Sequence, residues 1–174
     1  MIKVPQTLIG ELVSRGVLDQ EKAVLLVEQA QKESKDLGRL LVEQGVMSDE
    51  DLLKLKSEIY KLPIFDVTKV KTDQAQILSK EIPEDIIVFY QIIPFEKEEN
   101  ILRIGILNPE DINALEALKF VAEDRGLSLE KFAVSYKDFD RLLKNYTSIT
   151  VEVGEALEPV EEAGAKSTLE IPAS

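Results

Sequence analysis

Leu37-Gly38-Arg39-Leu40-Leu41-Val42-Glu43-Gln44-Gly45-Val46-Met47-Ser48-Asp49-Glu50-Asp51-Leu52 decides the reading of this chain, because a second copy of its pattern lies upstream. An offset of 29, the distance from Leu8 to Leu37, also lays Leu12 on Leu41, Val13 on Val42, Gly16 on Gly45, Val17 on Val46, Glu21 on Glu50 and Leu26 on Leu55. Leu18 over Met47 and Val24 over Leu53 are conservative matches in the same register. Each copy reads as helix, glycine stop, polar cap, helix. The leucines recur at helical spacing, and glycine takes the left-handed backbone that ends a helix. Asp19 or Ser48 then offers an oxygen to the free amides of the next helix. Ser48 with Asp51 three residues on has the form of a capping box, and Pro63 prevents the fourth helix from continuing. One helical hairpin cannot bury its apolar face alone, so two copies are expected to pack as a four-helix subdomain over residues 1–62. The bland alternative is two hairpins alike only because all such hairpins are alike; the matched glycines, each behind an apolar pair, favour duplication.

Residues 63–146 change character. A short strand is expected over 64–67, then a helical stretch through Ile77, Leu78, Ile82, Ile86 and Ile87 in which Pro83 starts a new turn. Two β-rich runs come next, 91–95 and 100–107, joined by a polar turn over 96–99, with Pro94 demoting its strand to an edge or a bulge. Asn108-Pro109-Glu110-Asp111 is turn chemistry ahead of a helix bearing Leu115, Leu118, Phe120 and Val121, which Gly126 ends. A final strand over 132–135 and a closing helix over 137–146 complete an α+β domain, a small sheet sandwiched with helices. Residues 147–174 hold six glutamates and one lysine, a net of -5, and Pro159, Gly164 and Pro172 interrupt any helix. They read as a disordered, flexible acidic linker or tail. The expected class is therefore α+β: a helical repeat subdomain (1–62), an α+β domain (63–146) and an acidic tail (147–174).

Composition excludes more than it identifies. Lys+Arg 21 against Asp+Glu 33 gives a net charge of -12, which repels a phosphate backbone or an anionic lipid surface, so nucleic acid is not an expected partner. No cysteine and no histidine means no disulfide, no thiolate or imidazole metal ligand, no thiol nucleophile and none of the commonest general base. The eight glycines never form G-x-x-x-x-G-K-[ST], so a phosphate-gripping loop is absent. Acidic runs such as Asp49-Glu50-Asp51 and Glu96 with Glu98 and Glu99 read as solvated faces. Arg103 and Lys119 lie near apolar runs without marking a site. No segment approaches the roughly 20 apolar residues of a membrane helix. Met1-Ile2-Lys3-Val4-Pro5 lacks the features of a signal peptide, and a cytoplasmic protein that is not an enzyme is expected.

The repeat and the segments after it resemble the N-terminal region of the type II secretion and type IV pilus assembly ATPases. The second copy is similar to the pattern LG-x-x-LV-x-x-G-x-[I/L]-[ST]-x-E-x-L and runs on to Leu62-Pro63. Ile82-Pro83-Glu84-Asp85-Ile86, then Ile92-Ile93-Pro94, then Leu107-Asn108-Pro109-Glu110-Asp111 resemble further motifs of that family in order, covering about residues 6–146. The resemblance implies a region that precedes an ATPase motor, docks it to the cytoplasmic part of the inner-membrane platform protein, and is peripheral to that membrane through its partners. The motor would belong to the same parent chain or act beside a stand-alone relative. Some family members use the repeat to bind cyclic di-GMP. By that resemblance a site would involve Leu37, Gly38, Arg39, Leu41 and Gly45 of the second copy, with Leu8, Leu12, Gly16 and Gln29 of the first. Departures weaken it: Asp36 stands where the family motif has arginine, Thr7-Leu8-Ile9 lacks arginine and glycine, and Glu58 is the counterpart of Gln29. A dianionic ligand facing Asp36 and Glu58 meets repulsion, which Lys35 and Arg39 partly offset. A purely structural repeat is the other reading.

Overall fold

A computed structural model describes residues 4–71, 74, 78 and 80–147. Four helices open the chain: α1 (Gln6–Ser14), α2 (Gln20–Glu33), α3 (Leu37–Glu43) and α4 (Asp49–Tyr60). The local signals behind them are realised. Asp19 accepts from the amide of Lys22, Asp36 from that of Arg39 and Ser48 from that of Asp51, each cap contributing about 1 kcal/mol. Gly16 (φ 74) and Gly45 (φ 69) end the first helix of each copy in the left-handed region. Leu8, Leu12, Leu26, Leu37, Leu41 and Leu55, among the duplicated positions, are all buried.

Beyond them come a 3-10 turn (Val67–Lys69), α5 (Glu84–Tyr90), β1 (Ile92–Glu98), β2 (Ile101–Ile106), α6 (Ile112–Asp124), β3 (Ser128–Ala133) and α7 over 136–147. The sheet order is β1-β2-β3. β1 and β2 form an antiparallel hairpin, Ile92 opposite Ile106 and Glu98 opposite Ile101; β2 and β3 are parallel, Ile101 beside Ser128 and Ile106 beside Ala133, with α6 as the crossover. The architecture is α+β. One buried cluster runs from Leu8 and Leu12 through the sheet residues Ile92, Ile104 and Ile106 to Phe139 and Tyr146, so the helical repeat and the sheet share a core.

Several expected boundaries move, each for a local reason. The strand over 64–67 shrinks to a single bridge, Ile64 to Ala133. Asp66 accepts from the amide of Thr68 and turns the chain into the 3-10 segment, an alternative to sheet pairing that short polar side chains favour. Phe65 instead stacks on Phe95 (4.4 Å) and meets Phe132 edge-on (5.4 Å). β1 runs through 96–98, leaving residues 99–100 as the turn, because Arg103 on β2 ion-pairs with Glu96 (2.6 Å), Glu98 (3.2 Å) and, across to β3, Glu130 (2.7 Å). Pro94 lies on an edge strand and the register shifts just after it, as its missing amide demands. β3 begins at Ser128 and stops at Ala133, since Ser135 caps α7 by accepting from the amide of Asp138 (3.1 Å). Phe120 turns outward, 73% exposed, and the buried stripe of α6 is Ala114, Leu118 and Ala122. Ile77 and residues 148–174 lie outside the described residues.

Two glycines separate conformational need from helix propensity, for nothing stands within 4 Å of a Cβ added at either. Gly45→Ala is expected to destabilise the fold by about 1–2 kcal/mol through left-handed strain alone. Gly10→Ala, inside α1, is expected to stabilise it by about 0.5–1 kcal/mol. Urea unfolding of the two variants checks both signs.

Candidate functional site

The second copy departs from the first by placing a charge at a buried position. The offset that matches the leucines lays Val27 on Lys56, so a lysine occupies the apolar stripe of α4 beside Leu52 and Leu55. Lys56 is only 4% exposed. An ammonium taken out of water is stable only when its protons are received, and two receivers converge on it. Its Nζ donates to the carbonyl of Leu107, just past β2, at 2.7 Å and to the Tyr136 hydroxyl, at the start of α7, at 3.0 Å. Tyr136 in turn donates to the Asp36 carboxylate that caps α3. Nζ also lies 4.6 Å from the Tyr136 ring centroid, and the Arg39 guanidinium is 4.8 Å from it, where the ring quadrupole attracts cations.

Around this relay the helices exchange carboxylate caps. Asp49, in the first turn of α4, accepts from the amides of Tyr136 (3.0 Å) and Lys137 (2.9 Å) at the start of α7. Glu110, in the loop after β2, accepts from the amides of Thr7 (2.9 Å) and Leu8 (3.2 Å) at the start of α1, whose own cap position holds Pro5. Glu110 also receives the Tyr60 hydroxyl. Arg39 holds Asp140 with two parallel bonds of 2.9 and 2.6 Å, the strongest form of guanidinium–carboxylate contact.

Burial shapes the proton affinities. It pushes the Lys56 ammonium down to about 8, although Asp36 and Asp49 pull the other way. Burial raises the Tyr136 phenol well above its ordinary value, and Asp36 adds to the effect. Burial and then the Glu110 hydrogen bond raise Tyr60. For Glu110 burial opposes the charge, but the bonds from Tyr60, Thr7 and Leu8 outweigh it and hold the carboxyl below the usual range.

The cavity at this junction, lined by Pro5, Leu8, Asp36, Gly38, Lys56 and Tyr136 among others, measures about 10 Å³. That admits about one water and no substrate. A lysine and a phenol with shifted proton affinities therefore serve here to hold elements together. Among the described residues no group of three or more carboxylates is arranged to hold a metal ion.

The residues singled out in the sequence occupy three settings. Leu8, Leu12, Leu37 and Leu41 are core. Gly38 is buried under Tyr136: a Cβ there would stand 2.0 Å from the phenol oxygen. Leu8 and Gly38 line the same small cavity, and Arg39 flanks it in its pair with Asp140. Gly16 and Gly45 are exposed helix ends. Gln29 donates to Glu33 (2.9 Å) and accepts from Gln44 (2.8 Å), beside Gly45. Both compensating cations are engaged inside the chain, Lys35 with Glu43 and Arg39 with Asp140, and Glu58 pairs with Arg15 at 2.8 Å. Sequence reasoning missed Lys56, Tyr60, Tyr136 and the role of Glu110. The one available signal was a lysine in the apolar register where the first copy has Val27.

The buried ammonium has a signature in pH. Below about pH 8 Lys56 is protonated in the folded and the unfolded chain, and folding bears the whole cost of its burial. Between about 8 and the ordinary 10.5 the unfolded chain holds the extra proton, so stability from this group rises with pH. Tyr136 and Tyr60 act oppositely above about pH 10, where unfolded phenols ionise first and stability falls. The expected result is a rise toward about pH 10 that the uncharged Lys56→Met lacks, read by urea unfolding across the window. Parallel curves for the two proteins would contradict a charged, desolvated Lys56.

Comparison with known proteins places this architecture. Residues 60–152 match the family model of the MshEN domain. The chain is 25% identical over 138 residues to the type IV pilus assembly ATPase PilB of Acinetobacter baylyi (strain ATCC 33305 / BD413 / ADP1), a match over 79% of this chain and 23% of that protein. It thus spans less than a quarter of that relative's length. The structure of MshE with cdg superimposes with a TM-score of 0.58 at 23% identity, over 80% of this chain and 97% of that one. The N-terminal domain of XpsE does so with a TM-score of 0.59 at 20% identity, over 84% and 98%. These structures share the fold of this chain, and in XpsE that fold is the N-terminal domain. Matched over residues 60–152, more than half of its 174, the chain belongs to the MshEN domain family.

Proposed function

We propose that this chain is the non-catalytic docking and regulatory N-terminal module of a type II secretion or type IV pilus assembly ATPase. Its partner is the cytoplasmic part of the inner-membrane platform protein. The observation that carries the reading is its likeness to nearly the whole of the XpsE N-terminal domain, 98% of that chain, in a sequence without a phosphate-gripping loop. A module that positions a motor needs a rigid body and exposed contact area rather than a reactive cleft. The shared core and the closed cavity suit that role. In this reading 1–62 and 63–146 form the gripping body and 147–174 leads toward the motor, in the cytoplasm and peripheral to the membrane through the platform. Among the described residues no helix is long and apolar enough to cross a membrane. Calorimetry of the full chain against the platform's cytoplasmic domain is expected to give saturable binding, with phosphate release from ATP at background. No heat at about 100 μM protein, weaker than ordinary specific complexes, would remove the docking reading.

A second reading is cyclic di-GMP sensing, favoured by the fold shared with MshE, whose structure is with cdg. Here Leu37, Gly38, Arg39, Leu41 and Gly45 of one copy, with Leu8, Leu12, Gly16 and Gln29 of the other, would frame the nucleotide. The expected outcome of a titration is saturable binding weakened about tenfold or more by Arg39→Ala, the loss of one charge-assisted contact. A flat trace for the unaltered chain would end this reading and leave the first intact.

A further inference from the structure

The first turn of α7 is pinned to the helical repeat by two of its helices. Asp36 and Arg39 at the start of α3, and Asp49 and Lys56 on α4, all bond to residues 136–140. The central contact is steric as well as polar. Gly38 has no side chain, and the space is filled by Tyr136, whose Oη and Cζ would stand 2.0 and 2.8 Å from a Cβ at that position. Anything that approaches the Gly38 backbone must take the place of the phenol. The cations nearby are also spoken for, Arg39 by Asp140, Lys35 by Glu43 and Lys56 by Leu107 and Tyr136. An incoming anion finds a partner only after one of these pairs opens.

We propose that Tyr136 is an autoinhibitory latch: seated on Gly38, it closes the second copy of the repeat, and a ligand enters there only when the first turn of α7 moves away. For the ligand's identity this rests on the cyclic di-GMP reading above; the latch itself stands on the geometry of this chain. Opening has a defined second state. Lys56 and Asp36 are opposite charges bound to the same hydroxyl, so when it leaves they remain facing each other, and neither is stranded as a buried single charge. The outer clasp is partly exposed, Arg39 at 27% and Asp140 at 54%, so water reaches both groups when they part. The same motion frees Arg39 and removes Tyr136 and Lys137 from Asp49. Ligand in the repeat and closure of α7 are mutually exclusive, and this coupling is what regulation requires.

The test is amide hydrogen exchange on the full chain, with and without cyclic di-GMP, in the unaltered protein, Tyr136→Phe and Asp140→Ala. Neither substitution empties the core, so both variants are expected to fold. The latch predicts that both speed exchange over 136–147 by about tenfold or more while β1 and β2 keep their protection, the mark of a local rather than a global opening. It also predicts that bound nucleotide deprotects the first turn of α7, and that Asp140→Ala binds it more tightly. Exchange over 136–147 that rises only in step with β1 and β2 would overturn the latch. Nucleotide binding with α7 protection unchanged would overturn it too and spare the sensing reading. If neither the unaltered chain nor Asp140→Ala binds, the sensing reading fails, and the exchange pattern of the variants alone upholds or overturns the latch.

Discussion

A lysine ammonium buried where three segments meet has to be satisfied by all of them at once, and much of this fold reflects that demand. Lys56 draws the Leu107 carbonyl from the end of β2, the Tyr136 phenol from the start of α7 and, through that phenol, the Asp36 carboxylate from the cap of α3. Removing the Asp36 carboxylate would leave the buried Lys56 without its opposing charge, at a cost of about 3–5 kcal/mol. The same positions with Val27 in the first copy carry no such obligation. The duplicated sequence therefore produces two hairpins with different duties: both are tied to the sheet side, and the second adds a buried ammonium to that junction.

Exchange of helix caps extends the principle. α1 begins at a proline that offers no side-chain oxygen, and its first amides are satisfied by Glu110 from the far side of the chain. α7 has a local cap in Ser135 and a distant one in Asp49. Helices of 7 to 14 residues are marginal by themselves, and here their ends are secured by the opposite half of the molecule. Docking α7 and α1 thus completes the hydrogen bonding of helix termini while it buries leucines, and the two gains reinforce each other.

These features suit a module that holds and is held. Lys56, Tyr60 and Tyr136, whose proton affinities are displaced, line a space for about one water. The strong acidity of the chain, net -12, disfavours nucleic acid. Membership of the MshEN domain family fits the docking role proposed above, and Tyr136 occupies the space beside Gly38 in the second copy of the repeat.

Local interactions made the helical repeat legible in the sequence. Asp19 and Ser48 as caps, Gly16 and Gly45 as stops, and the leucine spacing each act within a turn or two of chain, so residue order alone reports them. The β1–β2 hairpin was legible for the same reason, though its turn was placed too early because Arg103, which draws Glu96 and Glu98 into the strand, is opposite rather than adjacent to them. The boundaries of β3, the outward face of Phe120 and the junction itself were decided by tertiary structure. Lys56, Tyr136, Asp36 and Glu110 are separated by tens of residues, and no periodicity links them. Each looks in sequence like an ordinary surface residue, and only chain folding brings a charge, a phenol and a carboxylate within bonding distance where water is excluded.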